Sequence, residues 1–346
     1  MTAGASRQLR LGVIGAGSFG GEILKIVSNL PDFQIAGVAD VNQAAAEELA
    51  ARYSAPSWGD YHQLLQHCDC DAVAIFTPHN THREIALAAA AAKRHIFCEK
   101  AMAINVRECH DMIDAAAENG VKLMVGHKRR FRPAYQELKR LLDSGDFGRP
   151  LAINVNGFIG RRIGSWWASR EACGGLLHWA GVHDVDTIRY LLGEVEEVSA
   201  FESVKVDHDL SDYSDAISVS MRFASGAVGS LQVSTLYPMG TYRTAFGFDI
   251  VCENGGMSYD PRKVAVHHQL HDRPMHTTFF EGYGHDVAFV REWSSFAGWV
   301  LRDETPALTG EDGLRCVEII QAAYISVAEG ASVSLPLDRN DQRPRK

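Results

Sequence analysis

The chain has 346 residues, 46% of them hydrophobic and 22% charged, a balance that fits a soluble globular protein too large for one ordinary core, so two domains are expected. A formal charge of -9 argues against a phosphate backbone as partner, and no nucleic acid is expected. The seven cysteines are odd in number and lack any Cys-x-x-Cys, no apolar run reaches membrane-spanning length, and the first ten residues are too polar for a secretory signal; a cytoplasmic protein without disulfides or membrane contact is expected.

From residue 9 to about 127, short apolar runs alternate with helical stretches. "LRLGVIGAG", "FQIAGVAD", "DAVAIFTP", "HIFCEK" and "VKLMVGHK" are predicted strands, with helices in "FGGEILKIVSNL", "AAAEELAARY", "HREIALAAAAAKR" and "VRECHDMIDAAAENG" between them. Strand and helix in strict turn predict a parallel sheet covered on both faces, an α/β Rossmann domain over 8–128. A linking helix ended by Gly145 and Gly148 follows, and the pattern changes to strands with polar alternation joined by turns at "SG" and "NGG". With helices at about 178–192, 285–300 and 311–329, residues 129–336 form the expected α+β domain with a large, mainly antiparallel open sheet. A charged tail covers 337–346.

The stretch "LRLGVIGAGSFG" sets Gly15, Gly17 and Gly20 after an apolar strand and before a helix, the context that makes Gly-x-Gly-x-x-Gly specific for a dinucleotide. Gly15 serves the tight turn, Gly17 the approach of a pyrophosphate to the helix N-terminus and Gly20 the packing of helix on strand, with Ala16, Ser18 and Phe19 completing the loop. Asp40, at the end of the second strand, is placed to accept hydrogen bonds from the adenosine ribose. Because it would repel a 2′-phosphate and "ADVN" offers no adjacent Arg, NAD is favoured over NADP. The fifth strand ends in Glu99 and Lys100, at the sheet edge where such folds gather ligands. An ammonium there hydrogen-bonds a substrate hydroxyl and stabilises a developing alkoxide, while Glu99 suits a cofactor ribose.

Further signals are less specific. Arg129, Arg130, Arg161 and Arg162 suit a substrate anion or, more commonly, ion pairs. Trp166, Trp167, Tyr237, Tyr242 and Tyr283 suit sugar stacking or core packing, and His285 beside Tyr283 is placed at the substrate cleft. The histidines 267, 268, 271 and 276 give no convincing chelating pair, because neighbours on a strand face opposite ways; no metal is assigned.

The glycine loop, "TPHNTH" (77–82), "CEKA" (98–101), "GHKRRF" (126–131), "CGGLLHWAGVHDVDTIRYLLGE" (173–194), "RFASGAVGSLQVS" and the "TGEDGLRC…" segment resemble the glucose-fructose oxidoreductase and inositol dehydrogenase family, Gfo/Idh/MocA, over nearly the whole chain. The resemblance implies a nicotinamide-dependent oxidoreductase of sugars, inositols or related polyols. It implies Lys100 and His183 as the polar catalytic pair, and Thr77, Pro78, Asn80 and His82 on the nicotinamide side. It also implies pairing through the open sheet into a homodimer or homotetramer.

Two departures stand out. Ala101 replaces the usual Pro after Glu-Lys, and a trans bond is expected before it because a cis bond costs more there. Trp179 stands where the family carries Asp, four residues before His183. On a regular helix Trp179 shares the His183 face as an apolar or sugar-stacking wall, Asp186 is placed to orient His183, and His178 lies 140° away. Gly174, Gly175 and Gly181 would let an irregular turn bring His178 toward substrate. Asp184 is expected to cap the helix or to contact solvent. Two alternatives stay open: redox-neutral sugar elimination, epimerisation or cleavage with tightly held NAD, and a non-catalytic nucleotide-binding sensor.

Overall fold

The computed structural model describes residues 7–160, 165–206, 211–236, 247–280, 285–341 and 343. The first 128 residues run β1 (Leu9–Ile14), α1 (Ser18–Val27), β2 (Phe33–Ala39), α2 (Gln43–Ala51), β3 (Ser57–Trp58), α3 (Tyr61–His67), β4 (Ala72–Ile75), α4 (His82–Ala91), β5 (His95–Glu99), α5 (Val106–Asn119) and β6 (Leu123–Gly126). The six strands form one parallel sheet in the order β3-β2-β1-β4-β5-β6. Its central strands show no polar alternation, β1 being buried except at Arg10 and β4 buried at every residue, as a sheet covered on both faces requires. The sequence pattern missed only the short β3 and α3.

Beyond α6 (Pro133–Asp143) come β7 (Pro150–Phe158), α7 (Arg170–Cys173), a π-helical turn at Leu177–Gly181 and α8 (Val182–Leu192). Then follow β8 (Val195–Glu202), β9 (Ala216–Phe223), β10 (Val228–Ser234), β11 (Phe248–Cys252), β12 (Gly255–Asp260), β13 (Ala265–Leu270) and β14 (His276–Phe279). The chain closes with α9 (His285–Arg302), α10 (Gly310–Glu329) and β15 (Val333–Ser334). The second sheet has the order β14-β13-β12-β11-β7-β10-β9-β8-β15; β7 and β10 pair in parallel and the other pairs are antiparallel. One face carries Ile153, Val155, Ile217, Val219, Leu231 and Val233, all buried, against helices that include α8. The other carries polar side chains interspersed with apolar ones: Asn154, Ser199, Ser220 and Ser230 line a shallow cleft of about 550 Å³ together with the exposed Val228 and Val251.

Two compact units result: 1–103 with 108–128 and 285–314, and 104–107 with 129–284 and 315–346. This departs from the expected single boundary at 128, because α9 belongs with the parallel sheet. Its Trp293 is fully buried, stacked on Phe97 at 4.0 Å and edge-on to Phe33 at 5.6 Å. Local periodicity identifies such a helix but not which core receives it. The expected tail begins as packed chain: Leu337 is buried and its N–H donates to Glu318 at 2.9 Å.

Candidate active site

The β1–α1 junction is shaped by what cannot be there. Gly15 has φ 105°, and a Cβ on it would lie 2.7 Å from the Phe76 carbonyl oxygen. A Cβ on Gly20 would lie 2.7 Å from the Gly15 carbonyl oxygen, whereas at Gly17 it would meet nothing within 4 Å. Gly17 caps α1 without a side-chain hydrogen bond, leaving the first N–H groups of the helix to an anion. Ser18 and Phe19 are exposed beside it, and Ala16 is half-buried. Asp40 follows β2 directly; its carboxylate accepts the Ala16 N–H at 2.6 Å and the Asn42 N–H at 2.8 Å. The same carboxylate therefore fixes the glycine loop and faces the end of β2.

Thr77, Pro78 and Asn80 follow β4, Thr77 and Pro78 half-buried and Asn80 exposed, with the Thr81 hydroxyl bonded to Thr77 Oγ1 at 2.7 Å. His82, expected beside the cofactor, is fully buried: its ring nitrogens face the carbonyls of Ala101 and Thr77, so it holds backbone rather than a ligand. Burial lowers its pKa, opposed by the carbonyls of Thr77, Ala101 and Met102. Glu99 is buried, with its carboxylate in the space left by Gly126, where a Cβ would lie 3.0 Å from Oε1. Burial raises its pKa, partly offset by Lys100 and Lys128. Lys100 is half-buried and its N–H donates to Glu99 Oε2 at 3.1 Å. The Lys100–Ala101 bond is cis, against the expectation of trans; Ala101 is buried, and its N–H and carbonyl are both hydrogen-bonded by histidines, tertiary contacts that a local preference does not include.

In the second unit the irregular turn is real but serves differently. A π-turn spans Leu177–Gly181, so the 100° wheel used for Trp179 and His183 does not apply across it. His178 is buried and stacks on Tyr324, ring centroids 6.0 Å apart and 6° from parallel. The Tyr324 hydroxyl accepts the Leu177 N–H at 2.9 Å, and a Cβ on Gly175 would lie 2.7 Å from that hydroxyl. Trp179 is half-buried and stacks on Trp167 at 6.1 Å and 18°, which makes a two-ring wall. His183 is half-buried on the first turn of α8.

Asp186, expected to orient His183, is instead buried against Arg130, whose Nη2 lies 2.7 Å and Nε 2.9 Å from Oδ1. Asp184, expected to cap the helix or to contact solvent, is buried and paired with Arg129. Burial alone would lower the Arg129 pKa, but Asp184 more than offsets it and holds the guanidinium charged. Arg129 and Arg130 are thus structural pairs that tie the 128–131 turn to α8, and neither is left for a substrate anion. Helical spacing cannot reveal partners more than fifty residues away. Arg161, Arg162, Tyr237, Tyr242, Tyr283 and the His285 side chain lie outside the described residues. Among the remaining histidines, His267 bonds Thr277 Oγ1 at 2.8 Å. His268 faces His276 across the β13–β14 pair, centroids 5.0 Å apart, a juxtaposition hidden until β14 is recognised as a strand.

Residues 9–127 match the model of an oxidoreductase family with an NAD-binding Rossmann fold, named GFO_IDH_MocA, and 135–258 match the GFO/IDH/MocA C-terminal domain. The chain belongs to the Gfo/Idh/MocA oxidoreductase family. Its cofactor is accordingly NAD. Among curated members it is 28% identical to myo-inositol 2-dehydrogenase of Thermotoga maritima, over 94% of this chain and 98% of that one. It is 29% identical to scyllo-inositol 2-dehydrogenase (NAD(+)) of Bacillus subtilis, over 96% and 98%. A solved levoglucosan dehydrogenase, in complex with NADH and levoglucosan, shares the fold with a TM-score of 0.89 at 24% identity, over 96% of this chain and all of that one.

Proposed function

We propose that this chain is an NAD-dependent dehydrogenase acting on a secondary alcohol of a sugar, inositol or related polyol. The observation that carries the reading is the uncapped N-terminus of α1 above open space at Gly17, with the Asp40 carboxylate at the end of β2. These residues fit the cofactor: the loop Gly15–Gly20 would hold the pyrophosphate and Asp40 a ribose hydroxyl. NAD, when bound, supplies the hydride acceptor. The curated relatives act on inositols, which favours a cyclic polyol as substrate.

Lys100 and His183 are the polar catalytic pair of this reading. His183, as neutral imidazole, takes the hydroxyl proton as the carbon is oxidised, and returns it in the reverse direction. The Lys100 ammonium donates a hydrogen bond to the same oxygen and lowers the cost of negative charge on it. Glu99 accepts from the Lys100 N–H and so fixes the end of β5. Trp167 and Trp179 supply a flat apolar wall suited to the C–H face of a ring. The partner we assign to the polar face of the nine-stranded sheet is a second copy of this chain.

The test incubates the protein with NAD and a panel of myo-inositol, scyllo-inositol, levoglucosan, D-glucose and D-gluconate, following absorbance at the NADH band and product together. Net NADH is expected with at least one member. Lys100→Ala and His183→Ala are each expected to lower the rate by about 10² to 10⁴ while still folding. Binding without turnover on the whole panel, or parent rates in both variants, would sink the reading.

A further inference from the structure

The loop after β4 reaches back twice to the residue that follows Lys100. His79 is 2% exposed, and its Nε2 accepts the Ala101 N–H at 3.3 Å. His82 is 0% exposed; its Nδ1 lies 3.0 Å from the Ala101 carbonyl oxygen and 3.3 Å from that of Met102, and its Nε2 lies 2.9 Å from the Thr77 carbonyl oxygen. The two rings are 5.6 Å apart, and Cys98 Sγ closes the cluster at 3.3 Å from His82 Nδ1. Donor and acceptor of one backbone residue are therefore both met by side chains between the end of β4 and the first residue of α4, and the second His82 nitrogen faces the Thr77 carbonyl oxygen.

A buried N–H and a buried carbonyl require partners, and secondary structure usually supplies them. Here the chain leaves β5 at Glu99 and the ladder no longer serves, so imidazoles take its place. Their contacts fall immediately after Lys100, whose side chain has four rotatable bonds and is aimed only as well as its backbone is held. A proline at 101 would lack the N–H that His79 accepts.

We propose that His79 and His82 are positioning residues that aim Lys100 by gripping the Ala101 backbone from both ends. The proposal rests on the reading of Lys100 as catalytic. Neither histidine touches substrate or cofactor in this scheme; both act through Lys100.

The test is a double-mutant cycle on the full chain, assayed with NAD and the panel alcohol that turns over fastest. His79→Leu removes the acceptor for the Ala101 N–H, while His79→Gln places an amide oxygen near the position of Nε2. His79→Leu is expected to lower kcat about tenfold or more, in line with the loss of one buried hydrogen bond. NAD affinity, read by fluorescence titration, should stay within about twofold, and His79→Gln should recover most of the rate. In a Lys100→Ala background the same leucine substitution should change kcat by less than about twofold, because positioning an absent amine has no value. Should His79→Leu not fold, His79→Asn, whose amide falls short of the Nε2 position, takes its place against His79→Gln.

Equal losses in both backgrounds, or a glutamine variant no better than leucine, would overturn the proposal and leave Lys100 standing. A Lys100→Ala variant at parent rate would overturn the reading of Lys100 and this proposal with it. A panel without turnover removes both together.

Discussion

Gly17 and Asp40 divide the work of the cradle, one by leaving space and the other by filling it with charge. The carboxylate already accepts two N–H groups, so its orientation is set before any ribose arrives. Asp40→Ser removes an ionised acceptor whose hydrogen bonds are each worth about 1.5 to 3 kcal/mol. The KM for NAD is expected to rise roughly ten- to hundredfold, with a smaller change for NADP, and steady-state kinetics with both cofactors checks this. These residues were legible in the sequence because glycine spacing and a strand-end acid are local features. His178 and His82 were not: each is a polar residue in a motif whose ring turned out to serve the backbone or an aromatic neighbour. Nothing within a few residues of either distinguishes that use from catalysis.

Among elements, α8 shows how tertiary partners reassign a helix face. Its two aspartates read as an orienting group and a solvated cap, and both are anchored by arginines from the 128–131 turn. Removing one partner of a buried pair leaves an uncompensated charge, so Asp186→Ala is expected to cost about 3 to 5 kcal/mol in urea unfolding. Replacing Arg130 and Asp186 together by Met and Leu should cost far less, since the lone charge goes with its partner. Most strands and helices were legible from their period of two or 3.6. The short β3 and β14 were not, because two to four residues hold too little pattern. The π-turn was signalled only by its glycines, which say that the chain can bend and not how.

At the scale of the whole molecule, charge pairs and surfaces govern stability and association. Asp71, on the loop before β4, meets Arg10 of β1 at 3.0 Å and Arg7 at 2.8 Å. Burial would raise its pKa, but these arginines more than offset it and hold the carboxyl at about 2, below the ordinary 3.8. The pairing thus contributes fully above pH 3.8 and is lost as pH falls toward 2. Asp71→Asn should lower the melting temperature at pH 7 and narrow its gap from the parent at pH 2, measured by thermal unfolding at both. The polar sheet face is expected to give a dimer or tetramer in light scattering, and Val251→Arg, at the exposed centre of that face, should shift the mass toward monomer. Sequence order concealed the return of α9 to the parallel sheet, and that return makes the two units interleaved along the chain rather than concatenated. A gene fragment ending at residue 128 would code for a sheet whose Phe33, Phe76 and Phe97 have lost Trp293 and meet water instead. Recombination that exchanges the second unit must therefore splice near 128, 285 and 314 and also around 104–107, and single-crossover chimeras of this architecture begin with an open core.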